Sequence, residues 1–155
     1  MRNRQFILPW VCAWMIGVMV WIGGPDPEHA AAAERRTVKA SIANIRSGPG
    51  TDHDVLWQVE KYHPFIVVEK RGSWAKIKDF EGDMAWIHAS LLTGVEGVIT
   101  SKTNCNVRSE PTTDSRIAFT VERGVPFRVI KRQGNWIYIE HADGDKGWIY
   151  HTLVW

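Results

Sequence analysis

The sequence predicts an all-β protein: two tandem copies of one small β-barrel module behind an N-terminal signal segment. Three observations lead to this. A series of short motifs recurs at a constant offset. Strand-like runs alternate with glycine, proline, Asn and Asp clusters at short, fairly regular spacing. The first 33 residues have a composition unlike the rest.

The repeat sets the architecture. Asn44-Ile45-Arg46-Ser47-Gly48-Pro49 returns as Asn106-Val107-Arg108-Ser109-Glu110-Pro111. Pro64-Phe65-Ile66-Val67 returns as Pro126-Phe127-Arg128-Val129. Gly72-Ser73-Trp74 returns as Gly134-Asn135-Trp136, and Trp86-Ile87 returns as Trp148-Ile149. Each pair is 62 residues apart, and 19 of the 55 positions aligned from Val38/Thr100 to Leu92/Val154 are identical. The chain divides accordingly into a signal segment over 1–33, a first module over 34–94 and a second over 95–155. A domain of about 60 residues buries only about 60% of its unfolded surface, so each module is marginal but workable as a compact barrel. The short junction from Thr93 to Val98 predicts two barrels that touch.

One hairpin can be read side chain by side chain. Ala75 and Ile77 alternate with Trp74, Lys76 and Lys78, and Ala85 and Ile87 alternate with Met84, Trp86 and His88. The lysines belong in water, so Ala75, Ile77, Ala85 and Ile87 face the core. Pairing Lys76 with Trp86 puts Trp74 diagonal to Trp86 on the outer face. In the second copy Ile137, Ile139, Gly147 and Ile149 point inward. Trp136, Tyr138, Trp148 and Tyr150 are expected to form an outward aromatic cluster, which must bind something or be covered.

In the signal segment Arg2 and Arg4 precede an uncharged run from Phe6 to Gly24. Pro25 and Pro27 follow, and Ala31-Ala32-Ala33 ahead of Glu34 makes a small-residue cleavage site. An uncleaved membrane anchor is the alternative, and either way the body is expected to be exported. Net charge is +2 with no basic stripe, which argues against a nucleic-acid partner. Cys105 alternates with Val107 and reads as a small buried apolar residue. The histidines lack metal-ligand spacing. Asp79 to Asp83 and Asp143 to Asp145 look like hairpin turns rather than calcium loops. No catalytic residue, metal or cofactor is expected.

These motifs resemble the bacterial SH3-like family, in particular exported proteins with paired copies. The resemblance runs from Val38 to Trp155. It rests on the Asn44–Pro49 motif, Val55-Leu56-Trp57, the Pro64 strand, Gly72-Ser73-Trp74 and the Trp86-Ile87-His88-Ala89-Ser90-Leu91-Leu92 ending. Ala85, Glu110, Thr112 and Phe119 depart from the usual pattern. The resemblance implies an SH3-like barrel in each copy and an extracytoplasmic, periplasmic role. It also implies a non-catalytic partner domain that recognises a cell-wall (peptidoglycan) peptide or glycan, or an envelope protein.

Trp74 and Trp136 correspond to the tryptophan that often lines the SH3 groove, where a flat ring suits an extended peptide or a sugar face. They equally suit an interface with the neighbouring barrel. Trp57, Trp86, Tyr138, Trp148 and Tyr150 complete the aromatic candidates. Arg46 and Arg108 could clamp a carboxylate or tie down the loop that follows. The competing function is a structural adaptor whose aromatic faces make interfaces between domains or with a protein partner. A membrane partner follows only if the signal segment stays uncleaved.

Overall fold

The computed structural model describes residues 34–155, and the signal segment expected over 1–33 lies outside the described residues. The strands are β1 (Glu34–Val38), β2 (Ile42–Arg46), β3 (Val55–Glu60), β4 (Pro64–Arg71), β5 (Trp74–Lys78), β6 (Met84–His88) and β7 (Leu92–Thr93). They continue with β8 (Gly97–Ile99), β9 (Cys105–Arg108), β10 (Ile117–Val121), β11 (Pro126–Gln133), β12 (Trp136–Glu140) and β13 (Lys146–Tyr150). They form two antiparallel sheets, in the orders β3-β2-β6-β5-β4-β1-β7 and β10-β9-β13-β12-β11-β8. The second order is the first advanced by one repeat, with β8 in the place of β1. The architecture is all-β, as two tandem SH3-like units require.

The cores lie where alternation puts them. Ala75, Ile77, Ala85 and Ile87 are at most 2% exposed, and so are Ile137, Ile139 and Ile149. The expected register holds, with Lys76 opposite Trp86 and Ala75 opposite Ile87. Both long strands carry a bulge at the same repeat position, at Val68 in β4 and Ile130 in β11. An extra residue there bends the strand and raises its twist. This lets one strand pair with β1 or β8 at its start and with the next hairpin strand along its length.

The segment linking the two copies is held at each end by backbone pairing to its own sheet rather than left as a loose tether. Thr93 in β7 pairs with Thr37 in β1, and Thr37 Oγ1 donates to Val95 O. Two residues further on, Val129 N donates to Glu96 O and Gly97 in β8 pairs with Arg128 in β11. Side chains reinforce the junction. Arg123 donates to Glu81 at 2.6 Å and lies 5.0 Å over the Phe80 ring. Arg128 lies 6.0 Å over Tyr62, and Arg35 lies 4.0 Å over Trp155. Tyr62 has φ of +71°, at the repeat position where the second copy uses Gly124 at +88°. A non-glycine residue in this region carries a cost of about 1–2 kcal/mol. The Tyr62 ring is retained there among Lys61 and Arg128 at the junction.

At Gly97 the backbone of the second copy passes close to the first. A Cβ there would press on Thr37 Cγ2 and lie 2.7 Å from Tyr62 O. Gly97→Ala is therefore expected to destabilise the protein by about 1–3 kcal/mol through overpacking. Denaturant unfolding would show the midpoint falling, whereas an unchanged midpoint would mean the two copies move apart freely.

His63 is a second sensitive point. Its ring lies 4.7 Å from that of Phe65 and 6.3 Å from that of Phe80, and its buried Nε2 has no hydrogen-bond partner among the described residues. Burial pushes its pKa from 6.5 down to about 4, against the opposing pull of Asp79. The unfolded chain therefore takes up the proton first. Stability is full above pH 6.5 and falls as the pH drops towards 4, by at most ~3 kcal/mol. Urea titrations at several pH values should show this slope in the wild type and not in His63→Gln. Parallel curves for the two proteins would exclude the effect.

Candidate functional site

The first copy carries an open groove of about 440 Å³. Its walls are Ile42, Asn44 and Arg46 from β2, Gln58 from β3, Trp74 from β5, His88 from β6, and Ser90 and Leu91 from the 3-10 turn after it. All of these residues belong to the first repeat. Ile42 is 62% exposed and Trp74 is half-buried, so an apolar strip is open to solvent. Trp74 opens β5 and pairs with His88 at the end of β6. Their rings meet edge to face at 5.2 Å. The polar rim is already organised, with His88 Nδ1 2.7 Å from Ser90 Oγ and Gln58 Nε2 donating to Asn44 Oδ1 at 2.8 Å.

Arg46 reaches the groove while tied to its own loop, donating from Nη1 to Thr51 O at 3.1 Å and to His53 O at 2.7 Å. Arg108 does the same in the second copy, from Nη1 to Ser115 O at 2.6 Å. Each arginine thus shapes the turn that forms one end of its site. The Glu110 departure has a local explanation. At Gly48 the His53 ring lies so close that a Cβ would come within 2.5 Å of Nδ1. In the second copy Ser115 replaces that ring, which leaves room for a side chain on Glu110, and Ser115 Oγ donates to Glu110 O.

The aromatic candidates separate into distinct environments. Trp136 and Tyr150 repeat the first-copy geometry at 5.3 Å, edge to face, and Asn135 Nδ2 donates to Tyr150 Oη at 3.2 Å. Tyr138 lies 5.0 Å from Trp148. Of the four outward aromatics, Trp148 is the one that the chain itself covers, and the same holds for its counterpart in the first copy. Trp148 is 6% exposed and Trp86 is 7% exposed. They do lie on the side away from the core, but β6 and β13 are interior strands. Arg46 and Lys76 flank Trp86, and Arg71 lies 5.1 Å over its ring. Arg108 and Tyr138 flank Trp148, with Lys131 5.2 Å over its ring. Long cationic side chains lay their aliphatic stems over such rings and so close this face to solvent. Trp57 is also elsewhere: it packs against the first core and lines a different cleft, at the junction.

Cys105 is fully buried, with Sγ 3.1 Å from Lys102 O, and burial pushes its thiol pKa up, the opposite of an activated nucleophile. Asp79, Glu81 and Asp83 bring ligand oxygens within 4.8 Å of one another. Asp79 Oδ1, however, accepts from the backbone N–H groups of Glu81 and Asp83, and Glu81 pairs with Arg123. These carboxylates build the hairpin turn and the junction.

The bacterial SH3 domain family matches residues 39–94 and again 101–155. A Bacillus subtilis (strain 168) protein that bears the name N-acetylmuramoyl-L-alanine amidase YrvJ is 24% identical over 164 residues, covering 98% of this chain and 31% of that protein. The Staphylococcus epidermidis cell wall amidase by name, LytH, is 36% identical over 59 residues, covering 36% of this chain and 20% of that protein. The chain thus spans less than a third of the length of these relatives. Among solved structures, an NlpC/P60 family protein from Bacillus cereus aligns with a TM-score of 0.37 at 13% identity, covering 78% of this chain and 55% of that one. The structure titled endolysin LysPBC5 CBD aligns with a TM-score of 0.31 at 16% identity, covering 83% and 95%. With both repeats matched in register, the chain belongs to the bacterial SH3 domain family and carries two copies of that domain.

Proposed function

We propose that this protein is an exported, non-catalytic module that holds a cell-wall peptide or glycan in the groove of its first copy. One observation carries the reading. The groove around Trp74 is lined by the first repeat alone and left open, while the junction between the copies is made by other residues, among them Tyr62, Phe80 and Trp155. A half-buried tryptophan beside an exposed Ile42, with a rim of amide, imidazole and hydroxyl groups, suits an uncharged, extended ligand with apolar faces. Arg46 supplies a fixed cation at one end. Trp136, Tyr150 and Arg108 would make the corresponding site in the second copy. The relatives' names support the wall as target, since one is called an N-acetylmuramoyl-L-alanine amidase and the other a cell wall amidase, and this chain matches only part of each. Export places the groove where that material is.

The adaptor reading has one observation in its favour. Strand β3 is an edge of its sheet and carries Val55 and Leu56, which are 46% and 50% exposed. Unpaired strand edges of this kind accept a partner strand.

Trp74→Ala tests the choice. Retention on purified peptidoglycan should fall about ten-fold, the equivalent of about 1.4 kcal/mol, as expected for an aromatic anchor. Stability should drop by less than the ~3–5 kcal/mol typical of a fully buried aromatic. Sedimentation with sacculi and a thermal melt on the same samples give both quantities. Undiminished retention together with lost association with an envelope protein would favour the adaptor.

A further inference from the structure

We propose that the cleft between the two copies is a second binding site, which takes the primary ammonium group of a peptide side chain. The cleft has a volume of about 390 Å³ and is composite. The first copy supplies Trp57, Glu60, His63, Phe80 and Asp83 to its walls, and the second copy closes it with the Gly124–Pro126 turn. The backbone junction holds these walls in place, so the cleft does not have to be assembled on binding. Clefts between domains are a common place for ligand sites.

Its chemistry favours a cation. Trp57 and Phe80 offer aromatic surface, and an aromatic face attracts an ammonium or guanidinium by cation–π interaction. The protein demonstrates this itself, because the Arg123 guanidinium lies 5.0 Å over Phe80 and 2.6 Å from Glu81. That internal cation occupies one end. Beside it, Asp83 lies within 4.8 Å of the Glu81 carboxylate but has no cationic partner of its own among the described residues, and Glu60 has only His141 at 3.9 Å. Two carboxylates beside an aromatic wall, with no lysine or arginine on them, suit an incoming ammonium. At neutral pH His63 is uncharged and adds no opposing charge, and its Nε2 is the one buried side-chain nitrogen or oxygen among the described residues without a partner.

Comparison of the repeats adds an independent observation. Several first-copy residues that line this cleft differ between the copies: among them, Trp57 is matched by Phe119, His63 by Val125, Asp79 by His141 and Phe80 by Ala142. Val59, Glu60 and Asp83, which also line it, and the neighbouring Pro64, Phe65 and Gly82 are the same in both. The first copy is therefore specialised at this face while the shared scaffold is kept.

Titration of the full chain with Nα-acetyl-lysine methylamide, followed by NMR, tests the proposal at neutral pH. Saturable shifts are expected at the Trp57 indole N–H, with little change at Trp74. The Nε-acetylated analogue, which lacks the charge, should produce at least five-fold weaker binding. The double variant Glu60→Gln/Asp83→Asn should lose binding of the charged probe by a similar factor, with an unchanged melting temperature, since both side chains are exposed. The proposal is overturned if Trp57 does not respond, or if both probes bind equally. It is also overturned if the shifts centre on Trp74, a result that would instead support the groove.

Discussion

The backbone pairing through Thr93 to Ile99 is the constraint on which the rest of the molecule depends. Within seven residues the chain leaves one sheet and enters the next, with β7 on β1 at one side and β8 on β11 at the other. Val95 O and Glu96 O are both engaged between these strands. A linker of this length with free backbone groups would let the copies swing, since closing a flexible loop costs little. Here the hydrogen bonds remove that freedom, and the close approach at Gly97 removes what is left. Each copy alone is of the size at which a single core gives only a few kcal/mol. Packing one copy on the other adds buried surface that neither has alone, which explains why Tyr62 can be held in a left-handed conformation at the contact.

This constraint also sorts the aromatic residues. Trp74 is the first residue of interior strand β5, paired with Arg71 and His88 at the end of the sheet, and stays half-buried beside the open groove. Trp86 and Trp148, in the middle of β6 and β13, are flanked on both sides and capped by arginine or lysine. Trp57 sits on edge strand β3, yet the second copy lies over that side and turns its surroundings into a cleft. Three positions of similar sequence character thus acquire three different environments. Gln58 lines both the groove and the cleft, so the two candidate sites are separated by little more than one strand.

Much of this was legible in the sequence because it depends on local period. The alternation of Ala75 and Ile77 with lysines settled which face was the core, and charge settled the direction. The repeat gave the number of units, since four separated motifs keep one offset without insertion. The burial of Trp86 was not legible. It requires knowing that β6 lies between β2 and β5, and that Arg71, fifteen residues earlier, folds across it. Strand order is a long-range property, and alternation only says inside or outside the sheet, not whether the outside is wet. The bulges at Val68 and Ile130 were hidden for a related reason, because an exposed aliphatic residue in a strand looks the same whether or not it is paired.

The cleft was the least legible feature, although one signal for it was present. Its walls come from β3, the turn before β4, the β5–β6 hairpin and the turn before β11, which no local pattern connects. The signal lies in how the repeats differ. Two copies that fold alike keep many of the positions that specify the fold, as at Pro64/Pro126, Phe65/Phe127 and Ile77/Ile139, and exchange one apolar residue for another elsewhere in the core, as at Ala43/Cys105 and Ala75/Ile137. Positions outside the core that disagree are either free or specialised. Exposed loop positions such as Ser73/Asn135 belong to the first kind. His63/Val125 and Phe80/Ala142 belong to the second, because the first-copy rings lie 6.3 Å apart, both line the cleft, and Phe80 lies under Arg123 of the other copy. A substitution there changes what the junction holds without changing how either sheet is built. Tandem duplication followed by divergence at the contact face is thus a physical route from two equivalent modules to one protein with two unlike surfaces.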